Sequence, residues 1–216
     1  RSSDLDPEIT IGLPKSLTAA CGVDALTHCI EAYTVQLHQP ITDALALKGI
    51  SMIAENLEKA YENGEDREAR RNMMIASTIG GMAFISSNVG AVHAFAETVG
   101  AWFDTPHGVA NSLFLPYIME FNIPACPERF ADIADAMGIE REESMSDEQY
   151  ALKAVEYVKA LNRKLNIPTI KEIKGITEER FEAIAERSAN NVLSNDNARK
   201  ITKEDYLELL KKAYNE

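Results

Sequence analysis

The chain has 216 residues, of which 22 are Lys or Arg and 34 are Asp or Glu, so its formal net charge at pH 7 is −12. This charge, without any Lys- or Arg-rich run, argues against proteins that bind nucleic acid or an anionic membrane, because phosphate groups are repelled. The length and the 45% hydrophobic composition predict one globular unit that buries enough apolar surface to fold without disulfide bonds.

The cysteine content points to a reducing environment. Cys21, Cys29 and Cys126 are too few and too scattered for a disulfide framework or a cysteine-type zinc site. They favour a reduced, cytoplasmic setting. No stretch approaches the roughly 20 apolar residues of a membrane span, and no secretory signal opens the sequence. The first residue is Arg1 rather than Met, which is typical of a cut end.

Helical periodicity dominates the sequence. The exception is the segment 8–14, where Ile9, Ile11 and Leu13 alternate with other residues in the two-residue period of a β-strand. Between positions 41 and 60, apolar residues instead recur three, four or eight apart, which predicts a long amphipathic helix.

Terminal signals mark three further helices. Pro127 and Gly138 bracket one of them, with proline in the first turn and glycine after the last. Capping boxes at Ser146 and Thr202 open two more. The sequence therefore predicts an all-α fold of about eight or nine helices, in a single helical domain over residues 1–216.

Dinucleotide-binding motifs are not found in these 216 residues. Neither G-x-G-x-x-G nor G-x-x-x-x-G-K-[ST] occurs, so no nucleotide-binding element is recognisable. The pair Gly80-Gly81 lies inside a helical pattern, where close helix packing explains it better than phosphate binding.

Asp24 and His28 form the first candidate site. Four positions separate them in an otherwise apolar and small-residue segment, so a helix places both on one face. A carboxylate and an imidazole in this arrangement can chelate one ion. Taken alone, the pair favours the plainer interpretation of a buried histidine that is hydrogen-bonded to a carboxylate.

Two further histidines strengthen the metal hypothesis. His93 lies in an apolar helical segment, and His107 lies at a Pro-His-Gly turn that leads into a helix. Three neutral imidazoles and one carboxylate suit Fe(II) or Zn(II), and are too nitrogen-rich for Mg²⁺ or Ca²⁺. The fourth histidine, His38, lies in a polar turn beside Pro40 and is not predicted to be a ligand.

Several segments together resemble the iron-containing (group III) alcohol dehydrogenases, and most of all the enzymes acting on 1,3-propanediol and other short primary alcohols. The resemblance runs from about residue 4 to the C-terminus. It rests on Leu5-Asp-Pro-Glu-Ile-Thr10, on Leu17-Thr-Ala-Ala-Cys-Gly-Val-Asp24-Ala-Leu-Thr-His28-Cys-Ile-Glu-Ala-Tyr33, on His93 and His107 in G-x-x-H and P-H-G settings, and on Pro124-Ala-Cys-Pro-Glu-Arg-Phe-Ala131.

The resemblance implies that Asp24, His28, His93 and His107 bind the catalytic ion. Many members have a second histidine four residues after the His93 position, near substrate and nicotinamide, whereas this sequence has Glu97. We expect Glu97 to lie near the ion as an acceptor that orients an imidazole, and to replace the family's histidine as a proton acceptor. A fifth ligand, or a surface residue without a role, are the alternatives.

The resemblance also implies the fold of the dehydroquinate synthase-like, iron alcohol dehydrogenase C-terminal domain and a hydride transfer to NAD or NADP. Fe(II) is the expected ion and Zn(II) the alternative, acting as a Lewis acid on a small alcohol or aldehyde. The family's N-terminal Rossmann-like domain is absent from these residues, so we expect the chain alone to be inactive. The intact enzyme can be a homo-oligomer.

Two other functions compete with this one. The first is a non-catalytic metal-binding or interaction module that kept its ion site without a cofactor partner. The second is the corresponding domain of a zinc enzyme similar to glycerol dehydrogenase or dehydroquinate synthase, although one carboxylate with three histidines fits the iron-type pattern better.

An apolar wall from Ala91 and Phe95, with Trp102 and Phe103 as further candidates, is expected to favour small alcohols. Plain core packing explains these aromatic residues equally well.

Overall fold

The computed structural model describes residues 5–216, which form nine α-helices and five short 3-10 turns with no β-strand among them. The predicted all-α class is therefore confirmed. The helices are α1 (Lys15–Thr34), α2 (Pro40–Glu62), α3 (Arg67–Ser87), α4 (Ala91–Phe103), α5 (His107–Asn122), α6 (Pro127–Ala136), α7 (Asp147–Lys164), α8 (Phe181–Ala189) and α9 (Lys203–Asn215).

The helix ends that the sequence marks are found in the structure. Helix α6 begins at Pro127, and Gly138 follows its end with φ +75°, a left-handed conformation that glycine adopts without strain. Both capping boxes have their two reciprocal hydrogen bonds, one at Ser146 before α7 and one at Thr202 before α9. The long amphipathic helix is α2.

The strand-like alternation near the start does not produce a strand. Residues Pro7–Thr10 form a 3-10 turn, in which the side chain of Asp6 accepts a hydrogen bond from the amide of Glu8 at 3.0 Å. Ile9 is 81% exposed, so the alternation does not mark a buried face. Local capping by Asp6 and the fixed φ of Pro7 decide the conformation, because residues 5–216 contain no strand with which this segment can pair.

Helices α1, α4 and α5 share one core. Helix α1 packs against α2, α3 and α5, and most of its residues are buried, which matches its apolar character on every side. Helix α4 packs against α5 and α8. The rings of Phe95 in α4 and Phe114 in α5 stack with centroids 3.6 Å apart. The three helices that carry the candidate ligands are therefore held against one another by buried apolar surface.

Two glycines allow close approaches to α1. A Cβ atom on Gly80 would lie 3.1 Å from Cys29 Sγ, whereas one on Gly81 would meet nothing within 4 Å. The packing interpretation is confirmed for Gly80. A Cβ atom on Gly108 would lie 2.3 Å from the carbonyl oxygen of Ala20, so only glycine lets the first turn of α5 rest on the backbone of α1.

No single helix within residues 5–216 is both long enough and apolar enough to cross a bilayer. Helices α3 and α4 meet that length and composition only as a pair, and the pair is bent by 106°. Most of α4 is buried in the core.

Candidate metal centre

Asp24 and His28 lie one turn apart on α1. The Nδ1 atom of His28 donates to the backbone carbonyl oxygen of Asp24 at 2.8 Å, while the nearest carboxylate oxygen of Asp24 lies 3.9 Å from Nδ1. A simple hydrogen bond between histidine and carboxylate therefore does not account for the pair. Since a carbonyl oxygen only accepts, Nδ1 carries the ring hydrogen and the Nε2 atom of His28 keeps a free lone pair.

His93 is held by a carboxylate that the sequence analysis did not single out. Its Nδ1 atom lies 2.5 Å from Oε2 of Glu31, and Oε1 of Glu31 accepts from the backbone amide of Val92 at 2.8 Å. Glu31 and His93 are only 3% and 4% exposed. The hydrogen on Nδ1 is donated to Glu31, which leaves the Nε2 lone pair of His93 free.

The spacing of Glu31 contains a signal that points to this role. Glu31 follows Asp24 by seven residues and His28 by three on α1, so all three lie on one side of the helix. A carboxylate in an otherwise apolar helix is rarely buried without a partner. The pattern of carboxylate, imidazole and carboxylate at one-turn spacing is therefore visible in the sequence, but the identity of the partner is not, because His93 comes from another helix.

His107 completes the cluster from the first position of α5. Its Nε2 atom lies 3.6 Å from Oδ1 of Asp24, and its ring centroid is 5.3 Å from that of His93. The side chain of His107 is 49% exposed, whereas His93 is enclosed. The cluster therefore opens to the protein surface on the side of His107 and Asp24.

Three of the four predicted ligands place one ligand atom each in a common region, with His107 beside Asp24. The Nε2 atoms of His28 and His93 lie 3.1 Å apart, and one ligand atom each of Asp24, His28 and His93 fall within 4.8 Å of one another. Two atoms bound to one zinc or iron ion at ordinary distances lie about 3.0 to 3.5 Å apart. Lone pairs that face each other at this distance repel unless a positive charge lies between them, so these residues fit a divalent ion.

The pKa values of His28 and His93 are shifted in opposite directions. Burial lowers the pKa of His28, and the neighbouring His93 lowers it further. Burial also acts to lower the pKa of His93, but the hydrogen bond to Glu31 and the charges of Glu31, Asp24 and Glu97 outweigh it, so the pKa is raised overall. His93 therefore holds a proton more readily than His28 does, and a divalent ion must compete with that proton.

Asn111, one turn into α5, is a second residue that the sequence analysis missed. Its Nδ2 atom lies 2.5 Å from Oδ1 of Asp24, 3.0 Å from Nε2 of His107 and 3.3 Å from Nε2 of His93. It follows His107 by four residues, so the helical spacing alone places it on the ligand side. The amide is completely buried.

Glu97 lies outside the ligand cluster. It is exposed, and its Oε2 atom accepts from Nδ2 of Asn191 at 2.6 Å. The acceptor for His93 that we expected from Glu97 is Glu31 instead. Around the axis of α4, a side chain four residues after another is rotated by about 40° beyond a full turn. With this rotation, Glu97 lies in the groove between α4 and α8. Trp102 and Arg187 line the same groove.

The remaining candidates have other surroundings. His38 lies near Asp43, with 3.4 Å between Nδ1 and Oδ2, and is not part of the cluster. Ala91 and Phe95, expected in an apolar wall, are buried core residues. The aromatic ring that does lie on the cluster belongs to Phe84 of α3, whose centroid is 4.5 Å from that of His28.

Comparisons with known proteins identify the family. Residues 18–214 match the Fe-containing alcohol dehydrogenase family, C-terminal. The chain is 43% identical over 212 residues to alcohol dehydrogenase 4 of Saccharomyces cerevisiae. The aligned segment covers 97% of this chain and 53% of the yeast protein. It is 40% identical over 209 residues to 1,3-propanediol dehydrogenase of Klebsiella pneumoniae, with 97% and 54% covered. The alcohol dehydrogenase from Oenococcus oeni superposes with a TM-score of 0.93 at 40% identity, over 97% of this chain and 54% of that one.

The chain thus spans about half the length of the curated relatives that it matches. The matched segment contains the four candidate ligands as well as Glu31 and Asn111. One of the relatives is a 1,3-propanediol dehydrogenase, from the subgroup that the sequence motifs indicate. On the family match and these identities, the chain belongs to the Fe-containing alcohol dehydrogenase family.

Proposed function

We propose that this chain is the metal-binding part of an NAD(P)-dependent alcohol dehydrogenase that interconverts short primary alcohols or diols and their aldehydes. The observation that carries the proposal is the cluster of Asp24, His28 and His93, whose two Nε2 atoms lie 3.1 Å apart, with His107 Nε2 3.6 Å from Asp24 Oδ1. The names of the relatives support the substrate class, since they include alcohol, 1,3-propanediol and butanol dehydrogenases and a lactaldehyde reductase.

Asp24, His28, His93 and His107 would hold the ion. When bound, a divalent ion supplies Lewis acidity, which lowers the pKa of an alcohol hydroxyl and polarises an aldehyde carbonyl. Three imidazoles and one carboxylate suit Fe(II), which the family name favours, and Zn(II) is the alternative.

The chain's own residues prepare the site in two ways. Glu31 fixes the ring of His93 and makes its Nε2 atom more basic, while the carbonyl of Asp24 does the same for His28. Burial of His93 and the Phe84 ring exclude water from the inner side of the cluster. A small alcohol therefore approaches from the exposed side, at His107 and Asp24.

Glu97 is proposed to act on the proton rather than on the ion. It lies on the same helix as His93 but reaches the open groove, where a carboxylate can exchange protons with solvent. The family resemblance implies a histidine in many members at this position, four residues after His93. Because its carboxylate does not contact the ligand cluster, we propose that Glu97 accepts the alcohol proton by way of solvent, in place of that histidine.

A nicotinamide cofactor completes the reaction, and we propose that the family's nucleotide-binding half supplies its site. The experiment joins the N-terminal half of the Klebsiella pneumoniae 1,3-propanediol dehydrogenase to this chain and loads the fusion with Fe(II) under anaerobic conditions. Reduction of NAD or NADP by short primary alcohols is expected for the fusion, and none for the chain alone or for a fusion that carries Asp24→Ala.

Two outcomes contradict the proposal in different ways. A folded fusion that binds Fe(II) but turns over no short alcohol or aldehyde favours the non-catalytic module. Turnover by the pure chain alone shows that its own residues hold the cofactor.

A further inference from the structure

Asn111 lies where the ligands meet, yet only half of its amide is satisfied. The Nδ2 atom reaches acceptors on Asp24 and His107 at 2.5 and 3.0 Å. The Oδ1 atom is buried and has no hydrogen-bond partner among residues 5–216. An unsatisfied buried carbonyl costs free energy, and in Asn111 it belongs to an amide that contacts the candidate ligands.

The hydrogen bonds show what the amide does. Asp24 Oδ1 and His107 Nε2 are both acceptors, and His93 Nε2 at 3.3 Å is a third atom with a lone pair. Without a donor between them, these atoms repel one another. The NH₂ group of Asn111 therefore holds residues of α1 and α5 in the separation that a shared ion requires.

The same amide cannot keep this orientation beside a cation. An N–H group carries partial positive charge, so facing it towards a divalent ion is unfavourable, whereas an amide oxygen is an ordinary ligand for such ions. A half-turn about the terminal torsion of the side chain exchanges the two atoms within nearly the same volume. The unsatisfied Oδ1 atom is the group that gains a partner.

We propose that Asn111 is a positioning residue of the metal centre, which holds Asp24 and His107 together as a hydrogen-bond donor and reverses its amide to face Oδ1 towards the ion when the ion binds. This inference rests on the proposed metal centre. It does not depend on catalysis, because both of its steps concern the binding of the ion to this chain.

The first test measures Zn(II) affinity of the 216-residue chain by competition with a chromophoric chelator. Asn111→Leu removes both functions of the amide and is expected to weaken binding about 10- to 100-fold. Asn111→Asp removes the donors but keeps an oxygen, so it is expected to bind Zn(II) at least as tightly as the wild type. Before Zn(II) is added, its melting temperature should be lower, because two carboxylates then lie against each other.

Asn162 provides a matched control. It lies on α7, donates to the carbonyl oxygen of Ser112 on α5 at 2.7 Å, and also has a buried Oδ1 atom without a partner. Asn162→Leu therefore disturbs the same helix to a similar degree while leaving the ligands in place. Its Zn(II) affinity should stay within about twofold of the wild type, by additivity of distant sites.

The second test observes the amide itself in the wild-type chain, and a variant serves only to assign its resonances. In ¹⁵N-labelled wild-type chain, the side-chain NH₂ resonances of Asn111 are identified by their loss in Asn111→Leu or, if that variant does not fold, in Asn111→Asp. Both protons should shift when Zn(II) is added, since their hydrogen bonds to Asp24 and His107 are broken. The NH₂ resonances of Asn162 should not move.

Different failures have different meanings. If Asn111→Leu binds Zn(II) as tightly as Asn162→Leu, or if Asn111→Asp is weakened as much as Asn111→Leu, the inference is overturned while the metal centre stands. Unshifted Asn111 resonances at saturating Zn(II) overturn the reversal. If the wild-type chain binds no Zn(II) at all, the metal centre itself is wrong, and the inference falls with it.

Discussion

The imidazole of His93 donates from Nδ1 to Oε2 of Glu31 over 2.5 Å, with both side chains almost completely buried. The other oxygen of Glu31 accepts from the amide of Val92, so the carboxylate is fixed at both ends. Because Nδ1 is committed to this bond, Nε2 is the only ring atom of His93 that can bind an ion. Glu31 thereby decides the tautomer of a residue on another helix.

Glu31→Gln should therefore weaken divalent-ion binding without unfolding the chain. The variant loses the negative charge that raises the basicity of His93, and its amide nitrogen cannot accept a hydrogen bond. We expect Zn(II) or Fe(II) affinity to fall about 10- to 100-fold in anaerobic titration, the usual range for such partners. Glu55→Gln, an exposed change on α2, serves as the control. Equal affinities for the two variants would show that Glu31 has no role at the site.

Glu97→Gln should separate turnover from metal binding. Glu97 makes its hydrogen bond to Asn191 and none to the ligands, so metal content should match that of the wild type. In the intact enzyme we expect slower turnover, because the variant cannot accept a proton. Glu97→His should retain activity. If Glu97→Ala matches the wild type across the pH range, Glu97 takes no part in the reaction.

Gly108→Ala should disturb both stability and the site. The added methyl group meets the carbonyl oxygen of Ala20, a backbone atom that cannot turn aside, so α5 must shift relative to α1. Overpacking of this kind typically costs about 1–3 kcal/mol in the free energy of unfolding. Urea denaturation measures this loss, and Zn(II) affinity should fall because His107 precedes Gly108.

Gly81→Ala is the control for that experiment. Nothing lies within 4 Å of the added methyl group, and the residue is in the interior of α3. Replacing a helical glycine by alanine should raise stability by about 0.5–1 kcal/mol. Identical urea midpoints for Gly108→Ala and Gly81→Ala would contradict the close packing of α5 on α1.

Divalent-ion affinity should fall as the pH is lowered. Each imidazole must be neutral to bind, and the pKa of His93 is raised above its ordinary value of about 6.5. A proton therefore begins to displace the ion at His93 before the pH reaches that value, whereas the lowered pKa of His28 keeps this residue neutral to more acidic pH. Zn(II) titrations at a series of pH values measure the effect, and an affinity that is constant from neutral pH to about pH 5 would contradict it.

Local signals predict much of the fold. The caps at Ser146 and Thr202, and Pro127 with Gly138, fix helix ends through interactions within a few residues, so the sequence alone identifies them. The alternation around Ile9 does not lead to a strand, because the part of the chain that the structure describes offers no strand for it to pair with. The cytoplasmic location and the single-domain boundary stay predictions.

The site is less visible in the sequence because its contacts join separate helices. The spacing of Asp24 and His28 within one helix suffices to place them together, but the bond between Glu31 and His93 crosses from α1 to α4. The sequence does not indicate a role for Asn111, because asparagine is common on helix surfaces. Only the packing of α5 on α1 shows that this residue is buried among the ligands. Glu97 was expected beside the ligands because it follows His93 by four residues, but its side chain faces α8. Helical spacing alone does not determine which neighbouring helix a side chain faces.

The metal stoichiometry of this chain tests the central claim most directly. Anaerobic titration with Fe(II) or Zn(II), followed by elemental analysis after gel filtration, should give one ion per chain for the wild type. His93→Ala and His107→Ala should each abolish stoichiometric binding, while His38→Ala, which changes the histidine outside the cluster, should retain it. Unchanged stoichiometry in both His93→Ala and His107→Ala would contradict the assignment of the metal centre.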